Sequence, residues 1–114
     1  MQLPNATSAF IDLTKLRDYS LNPNHSRGKH KARLFTAILG LTQQDAELLK
    51  SAILNAIQTE AAILGETDQY GQRYRVNFAL TRNQNTAIVR TIWMIRPDES
   101  FPRLVSCYIV RQSL

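Results

Sequence analysis

Apolar residues recur every three or four positions through the first half of the chain, and at alternate positions through much of the second. The first period is that of helices with one buried face, the second that of half-buried strands. Asp12 is placed to cap a helix over about Leu13 to Leu21, with Leu13, Leu16 and Ser20 on one side. Asn22-Pro23-Asn24 interrupts it, and Asn24 or Ser26 is in position to cap a second helix. That helix carries Leu34, Phe35 and Ile38 at helical spacing and stops at Gly40. Thr42 and Asp45 have the spacing of a capping box for a third helix, whose stripe is Ala46, Leu49, Ile53, Ala56 and Ile57 and whose natural stop is Gly65.

Tyr74, Val76, Phe78 and Leu80 then alternate with Arg75, Asn77 and Ala79, which predicts a strand with one face buried. A polar turn at Thr81 to Asn85 leads into a second strand, Thr86 to Ile95, with Arg90 and Trp93 on opposite faces. Pro97-Asp98-Glu99-Ser100 ends it, Pro102 delays the next, and Leu104 to Val110 forms another. Short connections make these strands an antiparallel meander. The expected fold is α+β, with N-terminal helices packed on one face of a three- to four-stranded antiparallel sheet. The helical half covers about 9–65 and the sheet about 70–112.

Length and composition narrow the class. At 114 residues the chain supports a single domain, 1–114. It holds no long apolar run and no basic segment followed by an apolar one, so neither a membrane span nor a secretory signal is expected. Cys107 is the single cysteine, which excludes an intrachain disulfide, and its apolar neighbours suit a packed strand thiol. These features suit a cytoplasmic domain. The formal net charge of +5 favours polyanionic partners: RNA or another polyanion, or an acidic protein.

The charge is concentrated where it is least favourable. Six basic side chains, His25, Arg27, Lys29, His30, Lys31 and Arg33, gather at the start of the second helix. Helix N-termini carry partial positive charge and disfavour cations, so this crowding points to an anion such as phosphate, or else to a solvated basic turn. Projection at about 100° per residue sets Lys31 on the stripe of Leu34, Phe35 and Ile38, with Lys29 and Arg33 on the other side and His30 at the edge. His25 and His30 are candidate acid–base groups, because imidazole titrates near neutrality. They are poor metal ligands, being five apart with no Asp, Glu or Cys cluster beside them. On the strands, Arg90, Thr91, Arg103, Ser106 and Tyr108 offer phosphate donors and a phenol, and Trp93 reads as core. Gly28 stands alone, without the spacing of a phosphate-binding loop. No cofactor and no metal is expected.

Several segments resemble a bacterial domain family, frequent in cyanobacteria and described as a domain of unknown function. They are Leu16-Arg17-Asp18-Tyr19, Leu21-Asn22-Pro23-x-His25, Gly28-Lys29-His30-Lys31-Ala32-Arg33-Leu34-Phe35, Tyr70-Gly71-Gln72-Arg73-Tyr74, Val89-Arg90-Thr91-Ile92-Trp93 and Pro102-Arg103-Leu104-Val105-Ser106-Cys107-Tyr108. The chain departs from the family pattern at Ser26, where proline is common, and in a longer tail over Ile109 to Leu114. Similar domains stand alone beside a second small protein or end large toxins, which implies a toxin–antitoxin or toxin-effector role and a small acidic antitoxin-like partner. The element order also resembles the barnase–EndoU–colicin–RelE group of metal-independent ribonucleases, a likeness of fold only. It implies that His30 or His25 takes a proton from a ribose 2′-hydroxyl while Lys29, Lys31, Arg33, Arg90 and Arg103 hold the phosphate. Tyr108 or the second imidazole then protonates the leaving oxygen. The competing expectation is a non-enzymatic module that binds an acidic protein or nucleic acid through its basic face. Convergence of His30, Lys31, Arg90 and Arg103 in one place is the spatial criterion for the first.

Overall fold

The computed structural model describes residues 1–110. After a short 3-10 turn, α1 (Leu13–Lys15) runs directly into a π-helical turn, Leu16–Ser20. Helix α2 (Lys29–Leu39) follows, then a 3-10 turn, Gln43–Asp45, that opens into α3 (Ala46–Ala56). Four strands complete the fold: β1 (Ala62–Asp68), β2 (Gly71–Arg82), β3 (Asn85–Ile95) and β4 (Arg103–Ile109). They form one sheet in the order β1-β2-β3-β4, antiparallel throughout. The α+β arrangement expected from the sequence is the one observed.

Local chemistry sets most boundaries. Asp12 caps α1 by accepting from the Thr14 N–H at 3.0 Å. Thr42 and Asp45 form the expected capping box, with the Thr42 N–H donating to Asp45 Oδ2 at 2.8 Å. Gly40 ends α2 in the left-handed region at φ 66°, where a Cβ would be penalised. The second cap differs from expectation. Neither Asn24 nor Ser26 caps α2; Gly28 occupies the N-cap position, and His25 Nδ1 accepts from the N–H groups of Arg27 and Gly28 at 3.1 and 3.2 Å.

The helices cover one face of the sheet. Phe35 and Leu39 of α2, Leu49 and Ile53 of α3 and Leu16 of the π turn bury against Val76, Val89, Trp93 and Cys107. Truncating a side chain such as Phe35 to alanine in a core of this density typically costs about 3–5 kcal/mol. Trp93 is fully buried, and its indole N–H donates to Thr91 Oγ1 at 2.7 Å while that hydroxyl donates to the Val76 carbonyl at 2.8 Å. Both sheet edges receive the N-terminal segment. Met1 O accepts from the Ala62 N–H at 2.7 Å, and Phe10 bridges to Arg103 at the start of β4.

Two further elements depart from the sequence-based expectation. The third helix does not reach Gly65. It ends at Ala56, and Gly65 lies inside β1, a strand absent from the sequence-based reading. Apart from Ala62, every residue of β1 is exposed, so the strand carries no apolar alternation that would reveal it. The buried stripe of α2 is also turned: Ala32, Phe35 and Leu39 are buried, while Leu34 and Ile38 sit on the flank toward β3 and β4. Lys31 continues that flank and stays exposed. The expected end of the sheet at 112 and the tail at 111–114 lie outside the described residues.

Candidate functional site

The face of the sheet opposite the helices is open. Side chains alternate across a strand, so the core positions Val76, Thr91 and Cys107 fix which neighbours face outward. Asn77, Arg90 and Tyr108 form one outward row across β2, β3 and β4. Ile63, Arg75, Ile92 and Ser106 form the adjacent row. Arg90 Nε donates to Asn77 Oδ1 at 3.1 Å, which holds the guanidinium flat along its row. Lys31 reaches this face from the start of α2: its Nζ lies 4.3 Å from the centroid of the Tyr108 ring. Lys31 thus contacts Tyr108, and Arg90, turned toward Asn77, is the cross-strand neighbour of Tyr108 on the open face.

What separates these cations from others in the sheet is the lack of carboxylate partners. Arg73 contacts Asp68 at 2.6 Å, Arg82 lies 3.6 Å from Asp45, and Arg103 binds both Glu99 oxygens at 2.7 and 2.6 Å. Among the described residues, Lys31, Arg75 and Arg90 have no carboxylate within 4.0 Å. Arg75 Nε is buried, without a hydrogen-bond acceptor among the described residues. Clustered positive charge left without counter-charge is electrostatically unfavourable alone and becomes favourable when an anion binds.

Carboxylates that are paired respond accordingly. The Arg103 side chain holds Glu99 below the usual carboxylate range, and Glu99 in turn raises Arg103. The Tyr70 backbone N–H, followed by Arg73, lowers Asp68. These groups form local ion pairs and do not contribute free charge to the open face. Cys107 is buried and its thiol is pushed up to about 12 by burial, which disfavours the thiolate at neutral pH.

The candidate residues separate into four places. Arg90 and Tyr108 are cross-strand neighbours on the open face, and Lys31 contacts Tyr108. His30 is exposed on α2 beside Lys31, and both line one shallow depression together with Arg33. Arg33 also borders a groove on the other side of α2, with Leu21, Pro23 and Thr36. Lys29 is half-buried in the first turn of α2. His25 stays within its turn: its ring meets Tyr19 edge-on at 4.5 Å, and its Nδ1 accepts the two backbone N–H groups that shape the entry to α2. Gly28 lies against the Tyr19 carbonyl, where a Cβ would come within 2.9 Å of the oxygen. Arg103 lies at the far end of β4, bound to Glu99 and stacked 5.1 Å from Phe10. The four-residue convergence of His30, Lys31, Arg90 and Arg103 is thus not met: Arg103 is held by Glu99, and His30 lines the depression on α2 with Arg33, apart from the row of Arg90 and Tyr108.

Arg75 and Asn77 were not among the candidates. Their alternation with Tyr74 and Val76 was the available signal, since it sets them on the same outward face as Arg90. Among the described residues no group of three or more His, Cys, Asp or Glu side chains is placed to hold a metal ion. Nor is any described helix long and apolar enough to cross a membrane.

A chain of this architecture, with helices on one face of a four-stranded antiparallel meander, falls in a class already seen in a solved complex. Its fold is similar to that of a chain in a contact-dependent growth inhibition toxin–immunity protein complex from Klebsiella pneumoniae 342. The TM-score is 0.70 at 16% identity, over 88% of this chain and 98% of that one. The chain itself belongs to the family described as Domain of unknown function (DUF6883), whose profile matches residues 2–111. No curated protein matches it.

Proposed function

We propose that this domain is a toxin-type protein that binds RNA on the open face of its sheet and cleaves it without a metal ion. The observation that carries the proposal is that Lys31 and Arg90 both neighbour Tyr108, with no carboxylate within 4.0 Å of either cation among the described residues. A phosphodiester is the anion that matches: Arg90 supplies a planar fork of donors and Lys31 a point charge. The fold shared with a chain of a growth-inhibition toxin–immunity complex supports a place in such a system, as toxin or as immunity protein.

In the reaction, His30 takes the proton of a ribose 2′-hydroxyl. The freed oxygen attacks the adjacent phosphorus, and the bond from phosphorus to the 5′ oxygen breaks. Tyr108 gives its phenolic proton to that leaving oxygen, so a 2′,3′-cyclic phosphate and a 5′-hydroxyl result. Lys31 and Arg90 stabilise the additional negative charge on the pentacoordinate phosphorus. His30 has the general-base role because it adjoins Lys31 on α2 and is exposed, whereas His25 uses Nδ1 within its own turn.

The direct test incubates end-labelled RNA with purified protein in EDTA. Cleavage that produces cyclic phosphate ends, and that falls at least a hundredfold in His30→Ala and in Lys31→Ala/Arg90→Ala, is the expected result. RNA left intact, or cut equally by all variants, overturns the proposal.

A further inference from the structure

We infer that Asn77 is a positioning residue for the phosphate site: it orients Arg90 through one neutral hydrogen bond and leaves the guanidinium charge and terminal donors to the RNA. The inference rests on the RNA reading above and adds a residue to its site. It begins from the way the arginines of the sheet are partnered. Asp68 lies 2.6 Å from Arg73, and Asp45 lies 3.6 Å from Arg82. Glu99 holds Nε and a terminal nitrogen of Arg103 at 2.7 and 2.6 Å. Arg90 has Asn77 directly across from it on β2 and Tyr108 on β4, and neither neighbour is a carboxylate.

Asparagine has the size and reach of aspartate, so the same position would fit a carboxylate against Arg90. The amide changes the outcome. A carboxylate takes two guanidinium N–H groups and cancels the charge, as Glu99 does at Arg103. An Nε–H group can only donate, so the amide atom that faces it at 3.1 Å is Oδ1, and Asn77 Nδ2 is a donor with nothing to accept from a guanidinium. Only the Nε–H is thereby used. The terminal nitrogens of Arg90 have no acceptor among the described residues.

A guanidinium is planar, so fixing its Nε–H bond fixes the direction of the terminal fork. Asn77 and Arg90 are both half-buried, which shields their hydrogen bond from competing water. An arginine held in this way loses less rotamer freedom when phosphate arrives. The neutral partner also keeps the field of the row positive. A carboxylate in place of Asn77 would offset the attraction that Arg90 and Lys31, whose Nζ lies 4.3 Å from the Tyr108 ring centroid, exert on an anion.

The test measures binding of a labelled oligouridine strand to the His30→Ala protein over a series of salt concentrations, with Asn77→Asp or Asn77→Ala added to it. Asn77 lies on the face away from the core, so neither change disturbs the packing. Asn77→Asp is expected to pair with Arg90 and take the salt slope from about −1.4 to about −0.7, the loss of one phosphate contact. Asn77→Ala is expected to keep the slope, because the charge stays free, and to weaken binding about 2- to 10-fold at every salt concentration, as loss of preorganisation does. With Arg90→Gln already present, Asn77→Ala has no further effect, since it acts through Arg90. Ala79→Asp, on the next outward position of β2, controls for added negative charge and shifts the slope less. The positioning role alone is overturned if Asn77→Asp keeps the parent slope or is matched by Ala79→Asp, or if Asn77→Ala binds like the parent or still weakens binding without Arg90. A parent protein with no salt-sensitive binding overturns the RNA reading with it.

Discussion

Neutralising Arg90 and neutralising Arg103 have different consequences for RNA binding, although both are arginines on neighbouring strands. Arg90 has no carboxylate within 4.0 Å among the described residues, while Arg103 already holds both oxygens of Glu99. Each cation that contacts a phosphate of a single strand contributes about −0.7 to the slope of log affinity against log salt. If Lys31 and Arg90 both engage phosphates of the strand, the slope is about −1.4, and binding weakens about 7-fold between roughly 50 and 200 mM salt. Arg90→Gln takes the slope to about −0.7 and the same salt interval then costs about 2.6-fold. Arg103→Gln leaves the slope near about −1.4, because its charge was never free. The assay is fluorescence anisotropy of a labelled uridine oligonucleotide titrated with His30→Ala protein at four salt concentrations. Equal loss of slope in the two variants, or a slope near zero in the parent, would refute the reasoning that ion pairing decides which arginines meet RNA.

Three further outcomes follow from the packing and charge. Thr91→Val removes the acceptor of the buried Trp93 indole N–H and the donor to the Val76 carbonyl, which costs about 1–3 kcal/mol and lowers Tm by on the order of 5–10 °C in a calorimetric scan. In the β2–β3 turn, Asn83 and Gln84 both have positive φ, 53° and 69°. Glycine carries no steric cost in that region, so Gln84→Gly should raise stability to urea by roughly 0.5–1 kcal/mol. Glu99 and Asp68 are both held below their usual range, so their stabilising effect is complete above the normal carboxylate pKa and is lost as pH falls through the lowered values. Glu99→Gln should therefore flatten the acid side of the stability profile below about pH 4.5, with little effect on its shape at pH 7.

The elements that pack on both sides of the core were legible. Helix α3 and strands β2, β3 and β4 each bury one face, so their apolar periods follow directly from their environment. Strand β1 was not legible, because six of its seven residues face solvent and edge strands of that kind carry no alternation. With it went the place of Ile63 in the outward row of Arg75 and Ile92, which is visible only once Ala62–Asp68 pairs with β2. The gathering of basic residues at α2 was legible, but their destinations were not. His25 turned inward as an acceptor for its own turn, and Lys31 reached across to Tyr108. Arg90 and Arg103 looked equivalent in the strands, yet the spacing from Glu99 to Arg103 was a local cue that separates them. Arg75 resembled any outward position of an alternating strand, and its lack of a partner is a property of three dimensions.

The most direct test of the central claim is an amide chemical-shift map of the His30→Ala protein titrated with a short single-stranded RNA at low salt. The account requires the shifts to centre on Asn77, Arg90, Ile92 and Tyr108, with Lys31 at the near end of α2, and to vanish as salt is raised. Shifts confined to the outer surface of α3, or to the Arg103 end of β4, would contradict it.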